Sequence, residues 1–211
     1  MRIVVVCVGR PRELTFQGQK YTTSIFKKKV VGPVAVINDN LEGDRQHDLN
    51  FHGGRDKAIY VYSQEHYRDW EKALGINELE VSQFGENLTV SGCRDEDIVV
   101  GTKLRMGSIF ATVMQPRIPC AKLGVKLENA DFPQLFWEKG LLGFYLRVDQ
   151  AGSLQAGDEI TIEHIPTHGI TLRSVWATVV NSSSNEASEI LEKLDSLDAG
   201  WLRRLKKIAK P

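Results

Sequence analysis

Cysteine is scarce in this 211-residue chain: three residues, at positions 7, 93 and 120, with no pair at C-x-x-C spacing. An odd and sparse set excludes a disulfide framework and points to a reducing compartment, with the cytoplasm as the default. Charge of one sign is lacking too, since 27 Lys and Arg balance 27 Asp and Glu. That balance leaves no broad electrostatic case for nucleic acid or an anionic membrane surface. No apolar run approaches the ~18 residues of a membrane span. The apolar stretch over residues 2–9 lacks the longer core and small-residue cleavage site of a signal peptide, and reads as a first strand. Walker A and G-x-G-x-x-G signatures are missing, as are flavin, haem and iron–sulfur motifs, internal repeats and low-complexity tracts. What remains is an ordinary globular mixture, 42% apolar and 26% charged. A chain of this length buries either one domain with an appendage or two small domains.

Along the chain, residues 2–8 are β-branched and continuous, which predicts a buried strand. Residues 13–29 are polar and include Lys27, Lys28 and Lys29, which read equally well as a solvated loop. Strand character resumes over 30–37. Residues 43–57 form a long polar loop without helical or alternating pattern, and such loops are often functional. A strand over 58–62 leads into a helix capped by Ser63, striped by Tyr67, Trp70 and Leu74, and stopped at Gly75. Short strands are predicted at 88–90, 97–100, 103–106, 109–114, 143–148 and 158–163, with a turn at 152–157. Their glycine punctuation suggests a closed or highly curved β-structure. Asp131-Phe132-Pro133 opens a helix to about Lys139. From Ile165 three apolar stripes of helical period follow, centred on Val175, Ile190 and Leu205. Ser183 and Glu186 have capping-box spacing before the second. The predicted class is mainly β with α, a strand-rich unit over 1–164 followed by a three-helix appendage over 165–211. The helices would pack on each other or on the strands.

The stretch with the most chemical character is 115–124. Pro116 and Pro119 fix the backbone and remove two donors, and Ile118 is held extended before a proline. The result is a stiff, non-helical arm carrying Arg117 and Cys120. Free cysteines are more often buried and inert, and Cys7 inside an apolar strand fits that description. Cys93 reads as part of an exposed turn with no partner in sight. Cys120 differs because Arg117 and Lys122 are close in sequence, and nearby cations favour the thiolate, which is both nucleophile and soft-metal ligand. His164 and His168 are separated like zinc ligands, but Pro166 keeps them off one helix face. His47 and His52, with Asp44, Asp48 and Asp56, match no standard metal spacing, and His52 suits hydrogen bonding or anion contact better. Gly53-Gly54 could cradle a phosphate through backbone N–H groups. Arg45, Arg55, Lys57 and Arg117, if gathered in one cleft, would suit an anionic ligand. Glu86 and Asn87 in a glycine turn could supply directed polar contacts. Arg203, Arg204, Lys206 and Lys207 make a basic face in the tail, which solvation explains better than DNA binding.

Three segments in order carry a family resemblance: His52-Gly53-Gly54-Arg55-Asp56-Lys57-Ala58-Ile59-Tyr60, Phe84-Gly85-Glu86-Asn87-Leu88 and Gln115-Pro116-Arg117-Ile118-Pro119-Cys120. Together they resemble the MOSC domain, named after the C-terminal domain of molybdenum cofactor sulfurase. Val8-Gly9-Arg10-Pro11-Arg12 and Gly143-Phe144-Tyr145-Leu146-Arg147-Val148 are similar to the bacterial YiiM-like branch, which also carries a three-helix appendage. The resemblance implies a β-barrel-like domain that binds molybdenum cofactor, with Cys120 by position as the molybdenum ligand and catalytic centre. It implies reduction of N-hydroxylated compounds such as hydroxylaminopurines, with electrons from a flavoprotein or iron–sulfur partner. Lys27, Arg45, Lys57 and Arg117 are then candidates for the cofactor phosphate, and His52, Glu86 and Asn87 for the pterin edge. Family descriptions also mention a cysteine persulfide and pyridoxal phosphate; no lysine here stands out as a Schiff-base former. Ser24, Lys29, Arg45 and His47 depart from the expected pattern and bear on the cleft wall and on substrate choice. A sulfur carrier using a Cys120 persulfide and a non-enzymatic binding module are the alternative functions. The expected state is a monomer or homodimer, free of nucleic acid and membrane.

Overall fold

The structure is a computed structural model and describes residues 1–37, 40–47, 53–194 and 196–209. The apolar N-terminal run forms β1 (Arg2–Val8), with Ile3 and Val6 fully buried. The polar stretch that follows is a hairpin, β2 (Arg12–Phe16) and β3 (Gln19–Thr23), joined at Gln17 and Gly18. Both turn residues have positive φ, the geometry that matches the twist of a two-residue hairpin. Part of the predicted lysine loop is also a strand, β4 (Lys28–Val30), which pairs with β1. β5 (Val34–Ile37) and β6 (Asn40–Leu41) precede the long polar loop. The loop ends in a 3-10 turn, Arg55–Lys57, followed by the fully buried β7 (Ile59–Ser63).

Helix α1 (Gln64–Leu74) starts at Ser63 and stops at Gly75, which adopts the left-handed conformation. The cap position is as predicted, but the Ser63 hydroxyl donates elsewhere, to Glu65 and to the Cys93 carbonyl. α1 is the crossover between β7 and β8 (Leu88–Ser91), which pair in parallel, as such a connection requires. The strand predicted over 97–100 is instead a 3-10 turn, Asp95–Asp97, followed by a single bridge between Val99 and Thr171. β9 (Lys103–Met106) and β10 (Ile109–Pro116) follow, then α2 (Ala121–Lys126) and α3 (Phe132–Lys139). β11 (Phe144–Gln150), β12 (Gly152–Leu154) and β13 (Ile160–His164) complete the strands. β12 lies where a turn was predicted, and it pairs with β5.

Eight strands form one sheet in the order β13-β9-β10-β11-β7-β8-β1-β4. The sheet curls until its β13 edge approaches β1. Ile3 N–H donates to the Asp158 carbonyl (2.9 Å), and Ile160 N–H donates to the Met1 carbonyl (2.8 Å). Between β1 and β13 there is only an isolated bridge, Arg2 to Glu159. The expected barrel-like unit is therefore a strongly curled sheet in a mixed α/β fold, without a continuous closing ladder among the described residues. An aromatic cluster of Tyr62, Trp70, Phe84, Phe132 and Phe136 fixes α1 and α3 on one side of it. Trp70 is fully buried, and truncation of such a side chain costs about 3–5 kcal/mol.

The three stripes of the tail are helices α4 (Leu172–Asn181), α5 (Ser184–Lys193) and α6 (Ala199–Ile208). They pack on each other, and α4 also touches β10. Their buried residues, including Val175, Ile190, Trp201 and Leu205, join the same hydrophobic cluster as the sheet. The capping box does not form: Ser183 makes no side-chain cap, and Glu186 accepts from Thr178 on α4. A hydrogen bond between helices (3.0 Å) stands in place of the local one.

Candidate functional site

β10 sets the site. Its last residues, Gln115 and Pro116, pair with Tyr145 and Phe144 of β11. Arg117 N–H then donates to the Gly143 carbonyl (3.1 Å). A Cβ on Gly143 would lie 2.5 Å from the Val61 carbonyl oxygen, and its φ is +66°, so only glycine lets these strands meet here. The stiff arm is shorter than predicted. Cys120 is extended and half-buried, and α2 begins at the next residue. Lys122, Leu123 and Gly124 are therefore helical, because no proline follows Pro119.

Arg117 is 6% exposed. Its guanidinium lies 4.5 Å over the Tyr60 ring and donates to the Phe84 carbonyl. Stacking and hydrogen bonding compensate the burial of the charge. Cys120 lies within electrostatic reach of both Arg117 and Tyr145. A cavity opens beside it, lined from the arm by Arg117, Cys120 and Lys122 and from the sheet by Tyr60 and Tyr145. The segment after β3 adds Ser24, Ile25 and Lys27, and the segment after β6 adds Asp44, Gln46 and His47. Lys27 and Asp44 form a buried pair at 2.5 Å. Burial pushes the Lys27 ammonium below its ordinary value, and Asp44 opposes that shift. Asp44 Oδ1 also accepts from Gly9 N–H at 2.6 Å.

A second cavity adjoins the first, and Lys57, Cys120 and Tyr145 line both. Its other walls are the arm residues Pro116, Ile118 and Pro119 and the start of α6, including Trp201, Arg203 and Arg204. α6 is fastened there at several points. The Asp198 carboxylate caps it by accepting from Trp201 N–H (3.0 Å) and pairs with Lys57 at 2.5 Å. Burial raises the Asp198 carboxyl, but the bonds from Lys57 and from the Trp201 and Gly200 amides outweigh it and hold it below the ordinary range. Asp198 N–H donates to Gln115, and the Trp201 indole N–H donates to the Pro116 carbonyl.

The structure thus gathers Cys120, Lys27, Lys57, Arg117 and Asn87 around one cavity. Asn87 faces it, but its amide links strands by accepting from Tyr60 N–H and donating to the Cys7 carbonyl. Glu86 is fully buried behind the wall, its oxygens accepting from Tyr67, Thr89 and Phe84 N–H. Arg45 is exposed and outside the lining; its N–H and carbonyl bond to Gly9 and Ser24. His52 lies outside the described residues. Asp44, Gln46, Tyr60, Lys122 and Tyr145 join the lining without having been assigned to a cofactor from the sequence. Asp44 had been weighed only with the histidines as a metal ligand. Among the described residues no cluster of three or more His, Cys, Asp or Glu is placed to hold a metal ion. None of the three cysteines forms a disulfide. Burial pushes the thiols of Cys7 and Cys93 up to about 12, so neither supplies a thiolate near neutral pH.

The MOSC domain family profile matches residues 48–161. This chain belongs to the MOSC domain family. Its relatives include the Bacillus subtilis protein YflK, 37% identical over 197 residues, covering 92% of this chain and 88% of that protein. The crystal structure of YiiM from Geobacillus stearothermophilus is similar over 99% of both chains, with a TM-score of 0.78 and 28% identity. A Gibberella moniliformis protein named as a reductase is 30% identical over 152 residues, covering 71% of this chain and 27% of that much longer protein.

Proposed function

We propose that this protein is an oxidoreductase that binds molybdenum cofactor and reduces N-hydroxylated compounds of hydroxylaminopurine type, with Cys120 as the protein ligand to the metal. The observation that carries the reading is the position of Cys120, a half-buried thiol at the junction of two cavities, one rich in cations and one opening along α6.

The residues fit the group. A single soft ligand suits a metal that brings its own dithiolene sulfurs. Lys27, Lys57, Lys122 and Arg117 surround the first cavity, and charge-assisted donors of this kind suit a phosphate tail. The first cavity is also lined by Asp44, whose side chain is buried and whose Oδ2 has no hydrogen-bond partner; that oxygen suits a ligand bearing N–H groups. When bound, the molybdenum centre would supply the two-electron chemistry. The chain's own residues bind and orient. Arg117, locked on Tyr60 and Phe84, holds its charge without a long side chain's usual freedom. The half-buried apolar residues Ile118 and Pro119 would take the flat face of a substrate beside Cys120. A separate flavoprotein or iron–sulfur protein would deliver electrons.

The division into residues 1–164 and a three-helix appendage at 165–211 belongs to this proposal, with the appendage supplying one wall of the substrate cavity. So do a cytoplasmic location and a monomeric or homodimeric state. Among the described residues no helix is long and apolar enough to cross a membrane.

Metal analysis tests the reading. Protein made in a cofactor-producing host should carry molybdenum approaching one atom per chain, and Cys120→Ala should lose both the metal and hydroxylamine reduction. A Cys120→Ala protein that keeps its activity would sink the proposal. An added sulfur on the intact mass, removable by reductant and without molybdenum, would favour the persulfide carrier instead.

A further inference from the structure

We infer that Asp44 is the residue that recognises the donor edge of the bound heterocycle, an aminopyrimidinone of pterin type, through its Oδ2 atom. The inference deepens the cofactor reading above and rests on it. The Asp44 side chain is 1% exposed. Its two oxygens have different surroundings. Oδ1 is occupied, accepting from Gly9 N–H at 2.6 Å and from Lys27 Nζ at 2.5 Å. Oδ2 is buried and has no hydrogen-bond partner. Buried polar atoms are nearly always satisfied, and one that is not asks for a physical explanation.

Asp44 cannot turn away to solve the problem alone. Its N–H donates to the Leu41 carbonyl at 3.0 Å, and its own carbonyl accepts from Asn40 at 3.3 Å. The next residue is tied too, through Arg45 N–H to the Gly9 carbonyl and the Arg45 carbonyl to Ser24. With both Oδ1 bonds made, the carboxylate plane is fixed.

Asp44 lines the cavity that contains Cys120. It is the only carboxylate among the described lining residues, against Lys27, Lys57, Arg117 and Lys122. Three other polar groups there are already engaged. Asn87 Oδ1 accepts from Tyr60 N–H, and the Tyr60 hydroxyl donates to the Leu142 carbonyl. The Ser24 hydroxyl donates to the Arg45 carbonyl. A ligand that placed an N–H group at Asp44 Oδ2 would satisfy the orphan atom, while its anionic portions met the cations. The 2-amino-4-oxopyrimidine edge of a pterin offers N–H donors from an exocyclic amine and an adjacent ring nitrogen. Its 2-oxo counterpart puts a carbonyl where the amine stood and would face the carboxylate with like polarity.

The test uses the full chain made without cofactor. It is titrated with 6-hydroxymethyl-2-amino-4-oxopteridine and with the matching 2,4-dioxopteridine, and binding is followed by intrinsic tryptophan fluorescence. The wild type should prefer the 2-amino compound by ~10-fold or more, the worth of one charge-assisted hydrogen bond. Asp44→Asn should abolish or reverse that preference, since its oxygen stays with the Gly9 and Lys27 donors and its amide NH2 then stands where Oδ2 stood. Asp198→Asn, which removes the carboxylate beside the second cavity and leaves Asp44 and both its Oδ1 bonds in place, should keep the preference. Circular dichroism establishes that the variants are folded. Equal affinity of the wild type for the two compounds, no binding of either, a preference retained in Asp44→Asn, or its loss in Asp198→Asn would each overturn the assignment. Molybdenum content separates this result from the wider reading. Metal held by Cys120 without the pteridine preference leaves the cofactor reading standing and removes Asp44 from it. The preference without metal keeps the pteridine site and removes the molybdenum function.

Discussion

The two cavities that meet at Cys120 are built differently. The first is closed by paired and stacked ions: Lys27 with Asp44, and Arg117 over Tyr60. The side chains of Lys27, Asp44, Asn87 and Arg117 are buried there and hydrogen-bonded or stacked, apart from one oxygen of Asp44. The second is walled by prolines, Ile118 and Trp201, and its cations Arg203 and Arg204 are exposed. Burying charge is costly and requires a fixed set of partners, so the first wall suits a ligand that stays. The second has apolar lining residues and exposed arginines, which suit a ligand that enters and leaves. Cys120 belongs to both, and Lys57 joins them through its pair with Asp198 on α6.

Substitutions at four residues would break or sharpen this contrast. The largest effect is expected at the junction. Cys120→Ala should lower hydroxylamine reduction more than ~100-fold, since even changes beyond the ligand shell of metal sites cost 10–100-fold. The thermal midpoint of the metal-free protein should change little, because Cys120 fills no core position.

The next effect lies behind the first cavity. Lys126 donates to the Ile25 and Ser82 carbonyls, and burial pushes its ammonium down to about 8, with Glu86 opposing. A cation whose folded pKa is depressed binds its proton less readily than in the unfolded chain. Its contribution to stability is therefore present above the unfolded value of ~10.5 and is lost as pH falls toward 8. Relative to Lys126→Met, the wild type should gain roughly 3 kcal/mol of stability between pH 8 and pH 10.5. Denaturant unfolding of both proteins across that range checks the slope. A difference independent of pH would mean the Lys126 charge is well solvated, and the first wall less closed than described.

Asp198 links the two sides. Asp198→Ala removes the α6 cap and the Lys57 pair, at about 2 kcal/mol in total, which calorimetry should read as a midpoint lower by ~4–8 °C. Asp198→Asn keeps a capping oxygen and should lose about half as much. The smallest effect on stability belongs to Arg204→Ala, within ~0.5 kcal/mol as for other surface changes. If the second cavity takes substrate, this variant should raise KM several-fold with kcat nearly unchanged. Equal losses in both parameters would place Arg204 in the chemistry rather than at the entrance.

Much of the fold was legible wherever one side chain pattern dominated. Continuous apolar runs marked β1, β7 and β10, and the stripes of Val175, Ile190 and Leu205 marked the tail helices. The β2–β3 hairpin was hidden because its residues are polar and its turn depends on positive φ at Gln17, which composition does not display. The Ser183–Glu186 capping box was legible but not formed, since Thr178 offered Glu186 a tertiary partner. The candidate site divides in the same way. The proline pair exposed Cys120 to view because rigidity is local. Glu86 and Asn87 stood out in a glycine turn, but the turn alone could not show that their side chains bond to Tyr67, Thr89, Tyr60 and Cys7. Asp44 looked like any acidic loop residue. Its burial depends on Lys27, seventeen positions earlier, and on Gly9, and neither partner can be read from the loop itself.

The central claim is that Cys120 binds the metal directly. X-ray absorption at the molybdenum edge tests it on the full chain isolated with its cofactor. The wild type should show one more sulfur neighbour than the dithiolene supplies, and Cys120→Ser should lose that sulfur in favour of oxygen. An identical sulfur shell in the two proteins would contradict the assignment.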